Sequence, residues 1–227
     1  VVRNLKNISK KIKIKSISKR FENKNQNLYF GIDHMNFHAV LSLTVPVSSI
    51  FLDNISTSSL ALAYSIYTFP HLLFFIIWQQ LYLKRISKLS LNCKYKSVIL
   101  IVNKIKKKVI FPLIFIYIIT FSLLTTIITK LFSIESPNFT YELILLSLSL
   151  IPNIYLIYQN TLINSVGKIK VKSKYGSVLI FIYFIVLPYA ASKYSSIGVA
   201  IVHTLFIYIR SYIYDFIISK NYKYKKI

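Results

Sequence analysis

Acidic groups are scarce in this chain. Six carboxylates stand against 29 lysines and arginines, giving a formal charge of +23 over 227 residues. No two acids are spaced for paired acid–base work, and the chain holds no phosphate-binding loop, no HExxH helix and no nucleophile elbow. A hydrolytic or metal-dependent enzyme is therefore not expected, and no cofactor is implied. Cysteine is rarer still: Cys93 stands alone, so an intrachain disulfide and a cysteine metal cluster are both ruled out, and nothing follows about redox compartment. The opening "VVRNLKNISKKIKIKSISKR" lacks the apolar core of a cleavable export signal. It begins on Val, which fits either a chain cut from a longer one or a non-standard start codon. No repeat of 20 to 50 residues stands out.

What is abundant is apolar sequence. The chain is 55% hydrophobic with a mean hydropathy of +0.55, yet strongly basic. A nucleic-acid binder would need a continuous basic face on a soluble core. Here the cations and the apolar runs occupy separate stretches, so nucleic acid is not the expected partner and membrane lipid is. Crossing about 30 Å of hydrocarbon takes roughly 20 helical residues, and six runs qualify: 34–52, 56–83, 109–131, 141–163, 177–191 and 197–218. The run "LIFIYIITFSLLTTIIT" (113–129) is apolar on every side, as a spanning helix is and a barrel strand is not. The expected fold class is all-α integral membrane, with a basic connector at 1–33 and a basic tail at 219–227. Pro46, Pro70 and Pro152 fall inside helices, where neighbouring groups can satisfy the freed carbonyls; kinks are expected there.

Charge sidedness then orients the crossings. Of the 29 cations, 26 lie in the amino-terminal tail, the 84–108 and 164–176 loops and the carboxyl tail, while the opposite loops hold only Lys130 and Lys193. By the positive-inside rule both termini face the cytoplasm of a multi-pass cell-membrane protein. "ASKYSSIG" (191–198) becomes an outer turn bracketed by Pro188 and Gly198, making 178–210 a helical hairpin.

Polar groups inside such helices are the informative ones. Arg210 admits two readings: it snorkels to the headgroups with help from Asp215, or it lines a polar cavity that attracts a phosphate-bearing substrate. His71, beside Pro70, is either a packed histidine or a titrating group, and His203 has the same two readings as an ion-coupling candidate. Asp53 is a helix cap or an ion-coupling site. Gln79, Asn160 and Asn164 sit near the inner helix ends as interhelical or substrate-binding amides, with Asn160 and Asn164 on one helix face.

The order of these features resembles the second half of the polysaccharide (oligosaccharidyl-lipid) flippases of the MATE-like superfamily. The resemblance is carried by "SSIFLDNISTSSLALAYSIYTFPHLL", by "FPLIFIYIITFSLLTTIITKLFSIESPNF", by "LILLSLSLIPNIYLIYQNTLINSVGKIKVKSKYG" and by "LPYAASKYSSIGVAIVHTLFIYI". It implies one six-helix bundle of a two-bundle transporter that flips a lipid-linked oligosaccharide of the polyprenyl-diphosphate type for surface polysaccharide (O-antigen) synthesis. It also implies a missing amino-terminal half or a second copy as the other wall. The competing expectations are a multidrug or cation exporter of the same superfamily and a non-transporting truncated fragment. Scarcity of buried acids argues against the exporter.

Overall fold

The computed structural model describes residues 28–78, 127–130, 136–165 and 168–223, and among these the ordered structure is entirely helical. Four helices carry the fold: α1 (28–49), α2 (Asn54–Trp78), α3 (Phe139–Ser165) and α4 (Ile169–Lys223). Residues 127–130 are also helical, while the rest of the expected 109–131 span, Gln79 and the 84–108 loop lie outside the described residues. The helix starting at 28 takes in the last six residues of the segment read as connector, Asp33 among them.

Local chemistry explains the ends. Asp53 Oδ1 accepts the Ser56 N–H at 3.0 Å, capping α2, and the first helical bond runs from Thr57 N to Asp53 O. α3 closes with the Lys168 N–H reaching back to Ile163 O at 3.2 Å, the six-to-one bond of a Schellman-type end. Helix runs through Pro70, Pro152 and Pro188. Pro152 lacks the N–H that would bond Leu148 O, and the Tyr208 hydroxyl of α4 donates to that carbonyl instead, at 3.2 Å.

α4 is two helices in one run. Straight, its 55 residues would extend about 80 Å, but Ser195 adopts φ 54° and ψ −154°, outside helical space. The arms 169–194 and 196–223 fold back on each other. Tyr183 Oη lies 3.3 Å from His203 Nδ1, and Tyr214 Oη lies against Gly176, 38 positions away in sequence. The expected hairpin is present, its break at Ser195. Gly198 is required just beyond: a Cβ there would sit 2.5 Å from Ala190 O and 2.7 Å from Tyr194 Cβ. The first arm begins at Ile169, eight residues ahead of the expected 177, and includes Pro188.

Two apolar clusters hold the bundle. One joins α2 to α3 through Tyr67, Phe74, Trp78, Leu146, Leu150 and Tyr158. The other joins α1, the end of α3 and both arms of α4 through Val40, Ile163, Tyr183, Leu187 and Phe206. The outer faces are equally apolar: Phe69, Phe181 and Ile185 are mostly exposed. In water such a surface would drive aggregation, whereas in hydrocarbon it is the expected coat. Among the described residues, three helices are long and apolar enough to cross a membrane, over Asn54–Ile76, Phe139–Asn164 and Ile169–Lys220. The chain is membrane-embedded.

Candidate functional site

A cavity of about 120 Å³ opens between α1, α2, α3 and α4. With about 10–15 Å³ needed for one water on this measure, it has room for several waters or a small polar ligand. Four of the residues singled out in the sequence meet on it: His71 from α2, Asn160 and Asn164 from α3, and Arg210 from α4. Apolar walls come from Phe30, Phe37, Phe75, Leu156 and Ile157.

Its electrostatics centre on Asp33 of α1. Lys172 Nζ lies 2.7 Å from Asp33 Oδ2 and donates to Asn164 Oδ1 at 3.0 Å. Arg210 Nη2 lies 4.0 Å from Asp33 Oδ1, beyond hydrogen-bonding distance, and its Nε donates to Tyr214 Oη at 3.3 Å. The Lys172 side chain is 0% exposed and that of Arg210 is 3% exposed, so neither snorkels. Asp215, the expected partner of Arg210, accepts from the Tyr155 hydroxyl at 3.1 Å instead. Two buried cations thus share one carboxylate, leaving an excess positive charge. His71 adds unused hydrogen-bonding capacity, since it is buried and neither ring nitrogen has a hydrogen-bond partner. Asn160 Oδ1 is likewise buried and unpaired. In a low-dielectric setting, unpaired polar atoms beside surplus charge favour a polar, anionic guest.

Asp33 and Lys172 were absent from the sequence-based candidates. Asp33 falls at the edge of a basic tail, where an acid looks incidental. Lys172 is one of four cations in a segment read as loop, alternating at 168, 170, 172 and 174. Had the segment been read as helix, that spacing would have turned one lysine toward a neighbour. Trp78, whose Nε1 donates to Thr161 Oγ1 at 3.1 Å, completes the inner wall.

The remaining candidates lie elsewhere. Asp53 is exposed at the cap of α2, where the Ser56 hydroxyl and then its N–H hold the carboxyl below its ordinary pKa. His203 sits in a buried chain of side chains that crosses all four helices. The Thr44 hydroxyl donates to Val40 O, so it accepts from Tyr183 Oη at 2.8 Å. Tyr183, its proton spent, accepts from His203 Nδ1–H at 3.3 Å. His203 Nε2 then accepts from Tyr67 Oη at 3.3 Å, and Tyr67 accepts from Asn153 Nδ2 at 2.6 Å. Asn153 lines the cavity, so the chain ends at its wall. These partners assign the Nδ1–H tautomer.

Fold and cavity together define a membrane-embedded helical protein with a buried, net-cationic chamber. No protein family, characterised protein or solved structure matches the chain.

Proposed function

We propose that this chain is one half of a transporter that flips a lipid-linked oligosaccharide, of the polyprenyl-diphosphate type, across the cytoplasmic membrane for surface polysaccharide synthesis. The carrying observation is the surplus positive charge of the cavity, where Lys172 and Arg210 share Asp33 beside an unpartnered His71. Such a chamber attracts a phosphate oxyanion without demanding a particular sugar. In this reading the chain crosses the membrane six times with both termini cytoplasmic, the two arms of α4 supplying the last two crossings. The small size of the cavity fits half a binding site, the other wall coming from an amino-terminal half or a second copy.

Deletion of the gene tests this directly. The expected outcome is loss of surface polysaccharide with lipid-linked precursor retained on the cytoplasmic leaflet, uncorrected by an Arg210→Gln copy that still reaches the membrane. Unchanged polysaccharide refutes the proposal. Reporter fusions at the two ends test the topology separately, and an end accessible from outside refutes it.

A second reading, a cation or drug exporter, gains support from Glu142. This acid lies inside an apolar span and has no exposed surface, which weakens the argument from scarce buried acids. Altered susceptibility to cationic dyes with normal polysaccharide would select that reading.

A further inference from the structure

Glu142 lies in the first turn of α3. Its Oε2 accepts a hydrogen bond from the Ser59 hydroxyl of α2 at 2.7 Å, and its Oε1 has no hydrogen-bond partner. The Ser196 hydroxyl, fully buried, lies beside the same carboxyl without reaching hydrogen-bonding geometry, and has no other partner. Three elements therefore converge on one acid with two oxygen atoms left unused.

The charge balance is the telling part. Among the described residues the ion pairs are those of Asp33 with Lys172 and Arg210, and Glu142 has none. Asn153, the cavity residue nearest to Glu142 on α3, is eleven positions further on, roughly 16 Å along the helix. The cavity's cations thus belong to a different level of the bundle. An ionised carboxylate away from water is strongly unfavourable unless neutralised. The amino end of α3 supplies only about half a charge, and two hydroxyls supply none. Among the described residues nothing supplies the full positive charge that an ionised Glu142 would require.

The ligand atoms available are all oxygens: the carboxyl pair, Ser59 and Ser196. The Ser56 and Ser195 hydroxyls, 3.3 Å apart, stand one turn before Ser59 and next to Ser196. Oxygen-only surroundings suit hard cations, and a single carboxylate matches a single charge.

We propose that Glu142, Ser59 and Ser196 form a monovalent-cation site, filled by a proton or by Na⁺, at the opposite level of the bundle from the Arg210 cavity. Its occupant ties α2 and α3 to the first residue after the break at Ser195, so filling and emptying the site bear directly on the closed end of the α4 hairpin. The site stands whether the transported molecule is a glycolipid, a drug or nothing at all.

The test uses the full chain purified in detergent, with three readouts. These are the unfolding temperature in NaCl against choline chloride at equal ionic strength, retention of radioactive sodium, and the carbonyl-stretch band of a protonated carboxyl in infrared spectra at neutral pH. A sodium site predicts stabilisation by Na⁺ and retained label, both lost in Glu142→Gln and weakened in Ser196→Ala. A proton site predicts no sodium effect but a protonated-carboxyl band that disappears in Glu142→Gln. Absence of both the sodium effects and the band in the unaltered chain overturns the proposal, and that result needs no variant to fold.

Discussion

Replacing Asp33 by Asn keeps the shape of the side chain and removes the one negative charge between Lys172 and Arg210. At an effective dielectric constant near 20, the gross attraction is about 6 kcal/mol for Lys172 at 2.7 Å and about 4 kcal/mol for Arg210 at 4.0 Å. Desolvation offsets most of both, so the net value of the cluster is far smaller than their sum. What the substitution exposes is the asymmetry: two buried cations remain with nothing to neutralise them. Breaking a buried pair in this way costs about 3–5 kcal/mol. Lys172→Met should cost less, about 1–3 kcal/mol, because Arg210 still stands beside the carboxylate. In the double variant the stranded lysine is gone, so its destabilisation should fall short of the sum by at least ~1 kcal/mol. Denaturant unfolding in micelles, followed by the emission of Trp78, reads all three values; it is the only tryptophan and lines the cavity itself. Additive effects within ~0.5 kcal/mol, or a neutral Asp33→Asn, would refute the shared-carboxylate account.

Gly198→Ala places a methyl 2.5 Å from the backbone oxygen of Ala190, and should lower stability by about 1–3 kcal/mol in the same unfolding assay. Ser195→Gly should do the opposite, since glycine accepts φ 54° and ψ −154° freely; relief of strain, less the added chain entropy and the lost 3.3 Å hydrogen bond to Ser56, leaves a gain of up to about 1 kcal/mol. Tyr183→Phe removes the acceptor of His203 Nδ1–H and the donor to Thr44, a loss of about 1–3 kcal/mol. Tyr189→Phe, on the exposed face of the same arm, should change stability by less than ~0.5 kcal/mol.

The helices were legible because apolar length is a property of the sequence itself. The expected 141–163 span lies on α3, the expected 56–83 span lies on α2 as far as it is described, to Trp78, and the 191–198 segment contains the break at Ser195. The edges were less legible, since hydropathy ends where charge begins while a helix does not. α4 runs through Lys170, Lys172 and Lys174, so a segment that reads as loop by charge is helix by backbone. The site was half legible for the same reason. Arg210, His71 and Asn160 stood out as polar groups inside apolar runs and Asn164 as an amide just past the end of one, and the structure brings them together. Asp33 and Lys172 were hidden among their charged neighbours, because counting charge by loop says nothing about which side chain turns inward. Glu142 was missed altogether, because its burial and its lack of a counter-charge are properties of three helices and of none singly.

The Thr44–Tyr183–His203–Tyr67–Asn153 chain takes one side chain from α1, α2 and α3 and one from each arm of α4. Each link depends on direction as well as distance, so a helix sliding by one turn, about 5.4 Å, would strand a donor and an acceptor in a dry interior. Gear-like slippage between these helices is thereby suppressed. Large movements of this protein should carry the four as a single rigid body, with displacement arising at its outer boundary.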